Sequence, residues 1–195
     1  MTPQAKFAID LLNKKNDTEK YSGYYVELGA FHSFNGSNTY HLEKDYGWKG
    51  VAFDVVKEFV DEYNENRDNP CLLHDALTFD YLSYFKENNY PQQIDFLQVD
   101  VDAGYNEEGD PVGNAAQTLL ALIALPLNTY RFSVITFEHD ALMYYQNIDV
   151  REAQRVLLSS LGYKLVVRNN YEDWWVDPKV IPLSIFREHI HASVL

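Results

Sequence analysis

The chain of 195 residues is 46% apolar and carries 16 basic against 29 acidic side chains, a formal charge of −13. With 15 tyrosines, 11 phenylalanines and 3 tryptophans it has the core material of one folded domain, which excludes an intrinsically disordered chain. The acidic balance argues against a nucleic-acid groove or a polybasic membrane surface, since both work through Lys and Arg, and the lone Cys71 excludes a disulfide scaffold or a thiolate zinc cluster.

The first residues are polar and charged rather than an apolar signal-peptide core, so a cytoplasmic location is expected. The apolar run Leu119 to Leu125 is stopped by Pro126, far short of the roughly 20 residues a membrane span needs. Thr2 and Pro3 form an N-cap and first-turn pair, and Phe7, Ala8, Leu11 and Leu12 recur on one face of the helix that follows. Tyr24 to Leu28 is β-branched and aromatic and runs into Gly29 as a buried strand does. Ser37-Asn38-Thr39 can cap a helix to Tyr46, with Gly47 as its stop. Gly50 to Asp54 repeats the strand pattern, and Val56, Phe59, Val60 and Tyr63 give the next helix its stripe. Cys71 to Leu73 is a short strand, followed by Thr78, Tyr81, Leu82 and Phe85 at helical spacing.

Ile94 to Val99 is the next strand and ends in Asp100-Val101-Asp102, after which a polar loop leads to the apolar helix of Ala115 to Leu125. Arg131 to Phe137 is a strand ending in Glu138-His139-Asp140. Asp149 with Glu152 resembles a capping box, and Val150, Ala153, Val156, Leu157 and Leu161 predict a helix face closed by Gly162. Tyr163 to Val167 and Asp173 to Val176 flank a turn at Asn169-Asn170, so the sheet is expected to finish in an antiparallel hairpin. One short helix is expected after Ser184. Alternating strands and helices imply parallel strands with crossover helices on both faces. The expected fold is therefore an α/β three-layer sandwich, a single domain with a mostly parallel central sheet of about seven strands.

In such a sheet ligands bind outside the carboxyl ends of the strands. This chain keeps acids there: Glu27, Asp54, Asp75, Asp100, Asp102, Glu138 and Asp140, with His139 among them. With 29 acids available, chance alone would set some near strand ends. Gly29 and Gly36 make no dinucleotide fingerprint, because position 31 is Phe, and no Gly-Lys-Ser/Thr ending is present for a phosphate-binding P-loop.

Several segments carry a family resemblance: Val26-Glu27-Leu28-Gly29-Ala30-Phe31, Gly36-Ser37-Asn38-Thr39-Tyr40, Leu42-Glu43-Lys44 and Gly47-Trp48-Lys49-Gly50, then Ile94 to Asp102 and Ser133 to Glu138. Together they resemble the FkbM-type methyltransferases over roughly residues 20 to 177. The resemblance implies a Rossmann-like class I methyltransferase fold using S-adenosylmethionine. It assigns the methionine part to the turn with Glu27, Gly29, Ala30 and Phe31 and to Ser37 and Asn38, the ribose to Asp54 with Val55 beside it, and the adenine to Asp75 and Ala76. Asp100 supports the methionine ammonium in this reading. An ionised acid at the end of a strand suits the ribose on its own chemistry, because it accepts two hydroxyl hydrogen bonds at once.

The implied reaction is methyl transfer to an oxygen of a small molecule or sugar. Asp100, Asp102, Glu138 and His139 are the candidates for a base, and Asp100 with Asp102 for a magnesium shell. Two rival readings are an inactive cofactor-binding or interaction module, suggested by His32-Ser33 in the cofactor turn, and a nicotinamide-dependent oxidoreductase, against which the missing fingerprint counts. Plain structural roles are expected for Cys71, Trp174, Trp175, His189 and His191, while Tyr144 and Tyr145 are divided evenly between core and acceptor pocket.

Overall fold

A computed structural model describes residues 1–101 and 115–190 of the chain. The elements run α1 (Pro3–Lys15), β1 (Tyr24–Leu28), α2 (Tyr40–Tyr46), β2 (Lys49–Asp54), α3 (Lys57–Asn66), β3 (Cys71–Leu73), α4 (Tyr81–Glu87) and β4 (Gln93–Val99). They continue with α5 (Ala116–Ala124), β5 (Arg131–Glu138), α6 (Asn147–Ser160), β6 (Lys164–Arg168), β7 (Glu172–Val176) and α7 (Leu183–Phe186), which a short 3-10 turn extends to His189. Among the described residues these strands form one 7-stranded sheet in the order β3-β2-β1-β4-β5-β7-β6.

β1 pairs in parallel with β2 on one side and β4 on the other, in the registers Leu28 to Phe53 and Leu28 to Val99. The strand order reverses there, and in sheets of this kind ligands bind outside the carboxyl ends of the strands at such a reversal. β4 pairs in parallel with β5, bringing Val99 level with Phe137. The expected hairpin of β6 and β7 is present, but β7 inserts between β5 and β6 and runs antiparallel to both.

Strand alternation divides the core. Val26, Leu28, Phe53, Leu97 and Trp175 pack on one face with Tyr81 and Phe85 of α4, Leu122 of α5 and Leu158 of α6. Tyr25, Phe96, Val134 and Val176 pack on the other with Phe7, Leu11 and Leu12 of α1, Leu42 of α2 and Phe186 of α7. Neighbouring residues such as Tyr25 and Val26 thus belong to different clusters, as the two-residue period of a strand requires. Each such fully buried side chain contributes roughly 1.5–3 kcal/mol.

Local signals account for most element boundaries. Thr2 caps α1, its hydroxyl accepting from the Ala5 amide at 3.3 Å with Pro3 in the first turn. Ser37 Oγ accepts from the Tyr40 amide at 3.1 Å as α2 begins, and Gly47 ends α2 in a left-handed conformation at φ 71°. The capping box at Asp149 is not formed. α6 starts at Asn147, placing Asp149 inside its first turn, and Val156 is 70% exposed while Gln154 and Leu158 are buried. The helix is rotated because Tyr144 and Tyr145 already accept the first helical amides, those of Asn147 and Ile148.

Candidate functional site

β1 ends in a turn that only glycine can make. Gly29 has φ +85°, and a Cβ added to it would lie 1.8 Å from the Asp100 carbonyl oxygen. The amides of Gly29 and Ala30 both donate to Phe53 O, at 3.0 and 3.1 Å, and the Asp100 amide donates to Leu28 O at 3.0 Å. The turn is therefore pressed between the ends of β2 and β4. Phe31 follows at φ 48°, a costly conformation for a bulky residue, and its amide donates to Asp54 Oδ2 at 3.0 Å. Asp54 Oδ1 accepts from the Val56 amide at 2.8 Å. One carboxylate thus fastens two loops, and each oxygen keeps acceptor capacity for another donor.

Farther along the same edge, Asp75 Oδ1 accepts from the Leu77 amide at 2.8 Å in a tight turn, with Ala76 buried beneath it and Val55 exposed. The parallel order therefore brings Gly29, Ala30, Phe31, Asp54, Val55, Asp75, Ala76 and Asp100 to one rim, although they span much of the sequence.

Behind this rim lies a buried polar network. Glu27 is 1% exposed and accepts from Thr39 Oγ1 at 2.5 Å. Burial raises its carboxyl to about 7, opposed by the Thr39 hydroxyl, the Arg67 charge and the Asn38 amide. Arg67, absent from the expected site, comes from the end of α3 and is itself buried. Its Nε donates to Glu43 Oε2 at 2.9 Å and its guanidinium carbon stands 4.4 Å from the centre of the Tyr63 ring. Burial pushes the Glu43 carboxyl up, but the Asp68 amide, Arg67 and Asn69 together hold it below its ordinary range. Asn38 Oδ1 is buried and has no hydrogen-bond partner among the described residues, which leaves an acceptor in the loop that follows Gly29. The only sequence signal for Arg67 is an arginine in an acidic segment, and strand-end reasoning passes over it.

At the neighbouring edge the side chains of Glu138 and Asp100 hydrogen-bond to each other. Burial, then the charge and hydrogen bond of Asp100, then Asp140 and Glu172 raise the Glu138 carboxyl far above its usual range, so the two acids are not both ionised at neutral pH. His139 does not join this pair. Its ring is fully buried, with Nδ1 accepting from the Ala141 amide at 3.2 Å and Nε2 facing Asp173 Oδ1 at 3.8 Å. Asp173 is further held by Arg155, at 2.7 and 2.9 Å, and by Gln154. Asp102 and His191 lie outside the described residues. Among the described residues no group of three or more His, Cys, Asp or Glu side chains could hold a metal ion.

The remaining side chains singled out from the sequence are placed as follows. His32 Nδ1 pairs with Glu62 at 2.9 Å, Cys71 is buried with its thiol pushed up to about 12, and Trp174 packs on Phe7 with ring centres 5.0 Å apart. His189 meets Phe7 edge-on with ring centres 5.3 Å apart, while Tyr145 is 83% exposed. No helix among the described residues is long and apolar enough to cross a membrane.

No protein-family model and no curated protein matches the sequence. Solved structures do match in fold. The chain is similar to the N-methyltransferase NodS from Bradyrhizobium japonicum WM9 at 13% identity, covering 87% of this chain and 91% of that chain with a TM-score of 0.50. It is also similar to human methyltransferase 10 domain containing protein at 12% identity, covering 90% of this chain and 82% of that chain with a TM-score of 0.53. The fold is thus Rossmann-like, of the kind found in methyltransferases.

Proposed function

We propose that this protein is an S-adenosylmethionine-dependent methyltransferase whose acceptor is an oxygen of a small molecule or sugar. The observation that carries the reading is one convergence at the reversal of strand order. There a turn that admits only glycine packs against the Asp100 backbone carbonyl and is tied to the Asp54 carboxylate through the Phe31 amide, with Asp75 after the next strand of the same edge. The two similar structures, both named as methyltransferases, support it through their fold. The residues also fit the cofactor chemically. Asn38 Oδ1 and the neighbouring Asp100 are acceptors suited to an ammonium, Asp54 has acceptor capacity for ribose hydroxyls, and the acidic rim suits a sulfonium cation.

When bound, the cofactor supplies a methyl group made electrophilic by its sulfonium. The chain's own residues hold and align it. The turn at Gly29 and Ala30 would carry the methionine part, Asp54 would hold the ribose, and Ala76 with Val55 would flank the base. Alignment of this kind does most of the work in an in-line displacement. Glu138 and Asp100, hydrogen-bonded to each other, are the described carboxyls nearest to hand for a proton lost by an acceptor hydroxyl. The buried ring of His139, turned to the Ala141 amide and Asp173, takes no part in this.

Calorimetry with S-adenosylmethionine, S-adenosylhomocysteine and NAD tests the reading, followed by incubation with hydroxyl acceptors and mass detection of a methylated product. Binding of both sulfur ligands is expected. Silence with both, together with a clear heat for NAD, would overturn the reading.

A further inference from the structure

Arg67 lies outside the rim where ligand contact is proposed, yet it is bonded to the loop behind that rim at three separate residues. Its Nη1 donates to Ser33 O at 3.1 Å and to Ser37 Oγ at 3.3 Å, and its Nη2 donates to Thr39 Oγ1 at 3.1 Å and Tyr25 OH at 3.2 Å. With Nε on Glu43, all five N–H donors of the guanidinium are used. α3 grips the same loop a second time through Glu62, which accepts from the Ser33 hydroxyl at 2.8 Å and the Ser33 amide at 3.3 Å. The amide and the carbonyl of Ser33, on successive peptide planes, are therefore both fastened to α3 and its C-cap.

The loop needs such fastening. Phe34, Asn35 and Gly36 are exposed, and Phe31 is 55% exposed, so little apolar burial fixes the path of the chain. A guanidinium can only donate. Thr39 Oγ1 must therefore accept from Arg67, which leaves the threonine proton free to point at Glu27 Oε2, the contact found at 2.5 Å. The chain Arg67 to Thr39 to Glu27 thus has a fixed direction.

We propose that Arg67 is the positioning residue of the cofactor loop: it holds residues 33–39 in their binding shape from behind and, through Thr39, fixes how Glu27 presents its carboxyl under the Gly29 turn. The cofactor part of this assignment rests on the function proposed above, whereas the clamp on the loop does not. The arrangement is stronger than a helix-end staple requires. Arg67 already caps α3 through its own amide, which donates to Tyr63 O at 2.9 Å, so the desolvated side chain is spare for the loop. Lysine cannot replace it, because one ammonium has three donors and no planar fork to span Glu43, Ser33 and Thr39 together.

The test compares wild type, Arg67→Lys and Thr39→Val, the second of which removes one hydroxyl and leaves the guanidinium in place. Three quantities are read: S-adenosylhomocysteine affinity, hydrogen exchange of the amides at 33–40, and the titration midpoint of Glu27 by side-chain NMR. The groups that feel Glu27 are Thr39, the Asn38 amide, Arg67 and Asp100, with the phenols of Tyr25 and Tyr63 and the thiol of Cys71 behind it.

In folded Arg67→Lys, exchange across the loop is expected to rise about tenfold and affinity to fall about tenfold, while β5 amides stay protected. In Thr39→Val the Glu27 midpoint is expected to move upward from about 7. Loop exchange and affinity within about twofold of wild type in Arg67→Lys would overturn the proposal. If that variant fails to fold, Thr39→Val decides: an unchanged Glu27 midpoint with unchanged loop exchange overturns it, and the upward shift supports it. If wild type binds no sulfur ligand the function proposed above fails, and loop exchange still decides whether Arg67 is the clamp.

Discussion

Replacing Glu27 by Gln should stabilise the fold, and more so as pH rises. Glu27 is almost fully buried, and burial raises its carboxyl from 4.5 to about 7 in the folded protein. A raised carboxyl makes the folded state hold a proton that the unfolded chain has released. The stability this group confers is therefore complete below pH 4.5 and is lost as pH climbs through about 7. At about 1.4 kcal/mol per tenfold change, the interval corresponds to roughly 3 kcal/mol. Glutamine imitates the protonated acid and cannot ionise, its carbonyl can still accept from Thr39, and Arg67 keeps Glu43 as its partner. Urea unfolding of both proteins from about pH 5 to pH 8, followed by tryptophan fluorescence, should show the variant's advantage growing to at most about 3 kcal/mol. Other raised acids such as Asp95 and Glu172 cancel in the difference. A gap that is flat or shrinks with pH would refute the reasoning, because it would mean that Glu27 carries its charge in the fold as easily as in water.

Gly29→Ala sets a methyl group 1.8 Å from a backbone carbonyl at φ +85°, so it should lower stability by about 4 kcal/mol or more; a melting temperature near that of wild type would show that β1 and β4 do not meet as described. Asp54→Ala frees the Phe31 and Val56 amides in an exposed setting, and should lower stability by about 1.5 kcal/mol or less while weakening S-adenosylhomocysteine binding about tenfold in calorimetry. Asp177 is fully buried and accepts from Arg131 Nε at 2.7 Å and from the Lys179 amide at 3.0 Å, so Asp177→Ala should lose about 3 kcal/mol in urea unfolding, and a loss under about 1 kcal/mol would show the pair to be dispensable.

Periodicity and turn chemistry, which are local, were enough to read the alternating strands and helices, the Thr2 cap, the stop at Gly47 and the closing hairpin. The acids at the strand ends were legible for the same reason, since a strand's last residue can be named without knowing its neighbours. The start of α6 was misread because Asp149 and Glu152 have capping chemistry wherever they stand, and only the preceding turn at Tyr144 and Tyr145 decides that the helix has already begun. The insertion of β7 between β5 and β6 is likewise a matter of pairing at long range.

The same division runs through the site. Sequence alone placed Gly29 at a turn, but the reason that only glycine serves there is a carbonyl 71 residues away, that of Asp100 (100 − 29). It offered Glu138 and His139 as equals, and tertiary structure separated them by turning one carboxyl toward Asp100 and enclosing the other ring against Asp173. Arg67 was invisible until α3 folded back over the loop at 33–39. Propensity, capping and patterning act between residues a few positions apart and are written in the chain. Burial, desolvation and the direction of a hydrogen bond depend on which distant groups arrive together, and those the fold alone decides.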